Sequence, residues 1–287
     1  MAPATVPTPA APAPTAPAPS AEAEPDWQKK FYAVATEQQA KFSGAKVGEK
    51  VAITSNRPQT TRHTVRGIVH LDPDTAMSPG TLQAALRSAG AGCFATDLVM
   101  RGEVQNAFCA VRPPGHHAER AKAMGFCFFN QVAIGVKYAM EEYGLTRVAV
   151  VDFDVHHGNG TEDILSNDER VMMCGIFQHP FYPHSGTGNV ASNMHNIPIS
   201  ARTSGKDICQ AIKEGWLPEL DAFKPEIIFI SAGFDAHRED DMGQMGLVEQ
   251  DYAWITQRVK EVAQRHAQGD ALYGLPEPMD ALEGWIV

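Results

Sequence analysis

The segment "VDFDVHHGNG", Val151 to Gly160, sets two aspartates, two adjacent histidines and a glycine-rich turn directly behind an apolar run. Carboxylates and imidazoles are costly to place at the end of a buried strand, so their arrival there together points to a ligand. If the strand extends through them, alternate positions share a face, and Asp154 and His156 point at one centre. A third donor from a neighbouring strand end would complete a three-ligand metal site with one position open to water, the arrangement of catalytic zinc. Asp235 in "SAGFDAH" is the candidate. The ligand set suits zinc, and its carboxylate share also admits iron or cobalt.

A second constellation precedes it. "RPPGHHAE" puts His116 and His117 side by side after a Pro-Pro-Gly turn. Hydrolysis at a metal needs a base for the attacking water and an acid for the leaving amine, and two imidazoles in different environments can share those jobs. Each needs an orienting partner on its far nitrogen. Asp152 and Asn159 lie in the metal segment and are placed to supply them. "GFCFFN" brings Gly125 and Phe126 to this region, and "HPFYPHSGTG" brings Phe181 and Tyr182 from the opposite side. Two aromatic loops facing each other over a metal form a slot for an aliphatic chain.

These residues need a scaffold that gathers them. "NAFCAV", "RVAVVDFD", "VMMCGIF" and "EIIFISAGFD" read as buried strands. They alternate with helical patterns in "GTLQAALRSAGAGCFATDLVM", "NQVAIGVKYAMEEYG", "SGKDICQAIKEGWLPEL" and "LVEQDYAWITQRVKEVAQRHA". Ser78-Pro79 reads as the cap and first turn of the first helix, and Gly102 and Gly144 as C-terminal stops. Apolar strands alternating with helices predict an α/β fold with a mainly parallel sheet covered on both faces. Four of these segments, Arg112 to Glu119, Asp152 to His157, the loop after Phe177 and Asp235 to His237, follow strand C-termini, where open α/β sheets bind ligands.

The 287 residues, 44% of them hydrophobic, suffice for one large domain. A net charge of −10 argues against binding nucleic acid through a broad basic surface. No apolar run is long enough to span a bilayer and no secretory leader is apparent, so a cytoplasmic protein is expected. Five scattered cysteines, an odd number in apolar surroundings, read as buried thiols. Residues 1–25 form an Ala/Pro-rich tail expected to be disordered; 26–69 is an atypical segment that opens on a possible short helix; 70–268 carries the catalytic pattern; 269–287 is an atypical tail.

Taken in order, "RPPGHHAE", "GFCFFN", "VDFDVHHGNGTE" and "SAGFDAH" resemble the zinc-dependent histone deacetylase family, in its class II and bacterial flavour that includes acetylpolyamine amidohydrolases. The resemblance covers about residues 71–268. It implies an arginase/deacetylase-like three-layer fold and hydrolysis of acetyl-lysine or acetylated polyamines. By position it implies Asp154, His156 and Asp235 as zinc ligands. It likewise makes His116 and His117 the catalytic pair with Asp152 and Asn159 behind them, and Gly125, Phe126 and Tyr182 the channel walls. It further implies a structural potassium ion held partly by backbone carbonyls, although Gly175 stands where many members have serine.

Two departures qualify this. The family's Gly-Gly-Tyr loop, whose hydroxyl polarises the acetyl carbonyl, is missing; neither Tyr252 inside a helix nor Tyr273 matches it. The first strand and entry loop of the family are also not recognisable before Ile68, so the sheet is expected to lack a strand at both ends and an oligomer is possible. Impaired turnover is therefore expected. The alternatives are a non-catalytic acyl-lysine or polyamine binder, a truncated inactive member, or a binuclear manganese ureohydrolase. The last needs extra bridging carboxylates where Gly158 and His237 stand.

Overall fold

The computed structural model describes residues 68–188 and 190–267 and the backbone of 284–286. The expectations for residues 1–67, including the Ala/Pro tail and the short helix, and for Tyr273 lie outside the described residues. A short pair, β1 (Val69–His70) and β2 (Ala76–Met77), opens the fold, followed by α1 (Thr81–Met100), β3 (Phe108–Cys109) and α2 (Gln131–Tyr143). Then come β4 (Val148–Asp152), α3 (Asn159–Leu165), β5 (Val171–Gln178), β6 (Met194–Ile199), α4 (Gly205–Phe223), β7 (Ile227–Ala232), α5 (Glu249–His266) and β8 (Gly284–Ile286).

The main sheet has six strands in the order β3-β8-β7-β4-β5-β6. Strands β7, β4, β5 and β6 run parallel, with Val148 opposite both Val171 and Ile227. Alternation along the central strands divides the core. Ala149, Val151, Ile228 and Ile230 pack against Ile212, Trp216 and Leu220 of α4 and Ile255, Val259 and Val262 of α5. Val148, Val150, Ile227 and Phe229 pack against Val99 of α1 and Val132, Val136 and Ala139 of α2. A side-chain period of two therefore feeds two helical layers, the three-layer α/β arrangement expected.

Several local expectations need correction. Helix α1 is not capped by Ser78: its N-cap is Gly80 at φ 96, and Ser78 N–H instead donates to Thr81 Oγ1 at 2.9 Å. Pro79 fixes its own φ, and the left-handed glycine after it turns the chain into the helix. In "NAFCAV" only Phe108–Cys109 pairs as strand. Strand β6 was not foreseen; its sequence "MHNIPI" is polar, half-buried and broken by Pro198, a pattern tolerated at the sheet edge it occupies. At the other side, β8 pairs antiparallel between β3 and β7, so the last residues add a strand where a missing one was expected. The five cysteines form no disulfide with one another.

Candidate metal centre and active site

The candidate site lies where β4 and β7 end side by side, Asp152 opposite Ser231. The strand stops at Asp152, so Asp154 and His156 do not share a strand face. A loop of short hydrogen bonds brings them together instead: Asp154 N–H donates to Asp152 Oδ1 at 3.2 Å and His156 N–H to Asp154 Oδ1 at 2.7 Å. Val155 N–H donates to Asp235 Oδ1 at 2.9 Å, which locks this loop to the one after β7. Gly233 makes room for the approach, because a Cβ there would stand 1.9 Å from Asp154 Oδ2.

The result is a tight cluster. His156 Nδ1 lies 3.0 Å from Asp154 Oδ1 and 2.9 Å from Asp235 Oδ2. One donor atom from each of the three residues falls within 4.8 Å of the others. Asp154 and Asp235 are buried, and His156 is 9% exposed. Burial and the neighbouring Asp154 push the Asp235 carboxyl up to about 6. Asp154 is held below the usual carboxylate range: burial opposes this, but His116 and His156 outweigh it. His156, despite burial, is drawn up to about 10 by hydrogen bonds to the two carboxylates. Two buried carboxylates facing one imidazole form a site whose negative charge a bound cation would offset. One nitrogen and two carboxylate oxygens, with no thiolate, are a donor set that a divalent ion such as zinc accepts.

The imidazole pair sits beside this cluster. His116 Nδ1 is 3.0 Å from Asp152 Oδ2, and its Nε2 is 3.7 Å from Asp154 Oδ2. His117 Nδ1 is 2.8 Å from Asn159 Oδ1. The two rings lie 4.0 Å apart, and His117 is 5.8 Å from the ring of His156. Burial, then repulsion from His116, holds His117 well below the usual imidazole value, so it stays neutral at pH 7. The glycine-rich turn fixes this geometry through α3, whose Gly160 and Thr161 N–H groups donate to His116 O at 2.9 and 3.1 Å.

Sequence reasoning missed three supports. Glu119 Oε1 accepts from Asn159 Nδ2 at 2.7 Å, extending the relay behind His117. His157, which follows His156 in the chain, bonds Ser185 Oγ at 2.7 Å and Glu162 Oε2 at 3.1 Å, tying the loop after β5 to α3. Gly233 is the third. The adjacency of Glu119 to "HHA" was the one available signal; the others depend on contacts made only in the fold.

The proposed walls close on the same point. Tyr182 meets the His117 ring edge-on at 5.2 Å, and Phe181 stacks on His156 at 5.3 Å. From the other side, a Cβ on Gly125 would stand 2.4 Å from His117 Cδ2. Phe126 follows it, 44% exposed. Tyr252, by contrast, donates to Phe234 O at 3.0 Å and packs against Phe153, a core role. Beside Gly175, Asn196 Oδ1 is buried without a hydrogen-bond partner among the described residues, an oxygen of the kind a monovalent cation takes up.

Comparison with known proteins decides the family. The histone deacetylase domain matches residues 31–275. The chain belongs to the histone deacetylase family. Among its relatives, the type-2 histone deacetylase 2 of Dictyostelium discoideum is 42% identical over 215 residues, covering 68% of this chain and 13% of that protein. The histone deacetylase-like amidohydrolase of Pseudomonas aeruginosa is 36% identical over 206 residues, 69% of this chain and 54% of that protein. The polyamine deacetylase HDAC10 of Rattus norvegicus is 38% identical over 197 residues, 64% of this chain and 34% of that protein. This deacetylase-family chain thus spans about half or less of those relatives. Its fold matches the crystal structure of the HDA15 HD domain with a TM-score of 0.66 and 28% identity, covering 88% of this chain and 77% of that one. No described helix is long and apolar enough to cross a membrane.

Proposed function

We propose that the chain is a zinc-dependent amidohydrolase that removes acetyl groups from acetyl-lysine or an acetylated polyamine. The observation that carries this reading is the placement of a buried Asp-His-Asp cluster against a pair of imidazoles, each backed by its own polar partner. Asp154, His156 and Asp235 would hold the ion, which supplies a Lewis acid for water and the acetyl carbonyl. His117, neutral and oriented by Asn159, is suited to take the proton from the attacking water. His116, paired with Asp152, is suited to hold positive charge and deliver a proton to the leaving amine. Phe181 and Tyr182 on one side and Gly125 and Phe126 on the other would exclude water from the aliphatic stem.

The second reading is a metal-bearing, non-catalytic binder of acylated amines. The binuclear reading is the weaker one, because it needs bridging carboxylates where Gly158 and His237 stand. Cytoplasmic location remains part of the proposal, as does the absence of nucleic-acid partners, which the net charge of −10 supports.

The test is turnover of a fluorogenic acetyl-lysine peptide and of acetylated polyamines by zinc-loaded protein, with and without His117→Ala. Turnover abolished by the substitution supports the enzyme. Zinc binding without turnover of any of these substrates supports the binder.

A further inference from the structure

Residues 124–127 form a tight turn, closed by Cys127 N–H donating to Met124 O at 2.9 Å. Both central residues are left-handed, Gly125 at φ 55 and Phe126 at φ 65. Turns of this hand select glycine or asparagine at both positions, because a Cβ crowds the backbone there. Gly125 meets the rule, and its bare Cα lets the turn lie on the His117 ring. Phe126 breaks it. Nor is it wedged in place by packing, since it is 44% exposed. A strained residue persists only where its surroundings over-determine it, so something else must hold this one.

A two-residue turn bonds the N–H of its fourth residue and leaves that of its third unused. Here that third N–H, on Phe126, donates to Thr75 Oγ1 at 3.1 Å, across 51 positions of sequence. Thr75 is fully buried. Its own loop is cross-braced: Asp72 Oδ1 accepts from Thr75 N–H at 2.6 Å and Asp74 N–H at 3.0 Å, and Leu71 N–H donates to Thr75 O at 2.8 Å.

We propose that Thr75 is a positioning residue for the channel wall: its hydroxyl holds Phe126 left-handed and so keeps the 124–127 turn seated over His117. The proposal rests on the deacetylase reading above.

Thr75→Val removes the acceptor at nearly constant volume, and Thr75→Ser keeps it. Two readouts separate positioning from general damage. The first is amide exchange of residues 124–128 in protein without substrate. The second is calorimetric affinity of zinc-loaded protein for acetohydroxamate, which reaches only the metal, and for a hydroxamate on a long aliphatic linker, which also fills the slot. Thr75→Val should speed the exchange and weaken the long-linker compound, each by about tenfold, the scale of one lost hydrogen bond, with acetohydroxamate affinity kept. Thr75→Ser should restore both. Unchanged exchange, unchanged long-linker affinity, or equal loss of both hydroxamates overturns the proposal. Wild-type protein that binds neither hydroxamate overturns the deacetylase reading itself, a failure seen before any variant is made.

Discussion

Asp235 Oδ2 stands 2.9 Å from His156 Nδ1, although 79 positions of sequence separate the two residues. Two loops at the ends of neighbouring parallel strands create that contact, and the bond from Val155 N–H to Asp235 Oδ1 fixes it. Because the cluster joins two carboxylates in a buried space, a cation binding there should bind the folded state far better than the unfolded chain. Zinc at one hundred times its dissociation constant should then add about 2.7 kcal/mol to unfolding free energy. Thermal denaturation with zinc and with chelator checks this. Identical melting temperatures would count against a metal site here.

The relay behind His117 gives a second expectation. Glu119→Gln leaves Asn159 hydrogen-bonded but weakens the charge assistance behind it, while Asn159→Ala removes the partner of His117 Nδ1. Loss of such outer partners commonly costs 10–100-fold, so Asn159→Ala should lower kcat by about that factor and Glu119→Gln by less. Metal content should not change in either variant. Steady-state kinetics alongside metal analysis reads both effects.

Legibility of the sequence divided along physical lines. Residues that are expensive to bury announce themselves: Asp154, His156, Asp235 and the His116–His117 pair stand out because each follows an apolar run. The central strands were equally plain, since β4 and β7 are buried along their whole length. Strand β6 was hidden because Pro198 and its half-buried polar neighbours mimic a loop. Thr75, Gly233 and Ser185 were hidden for another reason. Each acts through a partner 28 to 79 positions away in the chain, and ordinary residue types carry no local trace of that. Asp154 and His156 were found for a reason that proved wrong in detail, the alternation of a strand that ends two residues earlier.

Acid should weaken the fold through Asp168. Its carboxylate accepts from Lys137 Nζ at 2.7 Å and from Arg170 Nε and Nη2 at 3.0 Å each. Partial burial pushes its pKa up, yet Arg170 and Lys137 outweigh this and hold it below the usual carboxylate range. A depressed folded value means that the unfolded chain takes up the proton first as pH falls. The stability Asp168 contributes is thus fully present above about pH 4 and declines progressively as pH falls from there towards the depressed folded value. Asp168→Asn should destabilise at pH 7 and destabilise less near pH 3. Urea unfolding at both pH values measures the two gaps, and equal gaps would refute the assignment.

Asn193 joins three pieces of backbone. Its Nδ2 donates toward Leu165 O, Asp168 O and Val171 O at 3.0 to 3.2 Å, and its Oδ1 accepts from Asn167 N–H at 3.0 Å. Asn193→Ala should cost about 2–3 kcal/mol, because several partly buried carbonyls lose their donor together. Chemical denaturation gives the number, and a loss under about 0.5 kcal/mol, the range of an ordinary surface change, would contradict it.

Thiol chemistry should be quiet in the native state. Burial pushes Cys93 up to about 12 and Cys109 and Cys209 up to about 11, with Asp97 and Asp251 adding to Cys93 and Cys209. Thiolate is the reactive form, so a disulfide reagent at pH 8 should label these three slowly in native protein and rapidly in denaturant.

The central claim is one divalent ion held by Asp154, His156 and Asp235. Metal analysis of zinc-reconstituted, desalted protein tests it directly, with Asp154→Ala, His156→Ala and Asp235→Ala measured alongside. One zinc per wild-type chain, absent from each folded variant, is the predicted result. Two ions per chain, none, or one that survives all three substitutions would contradict it.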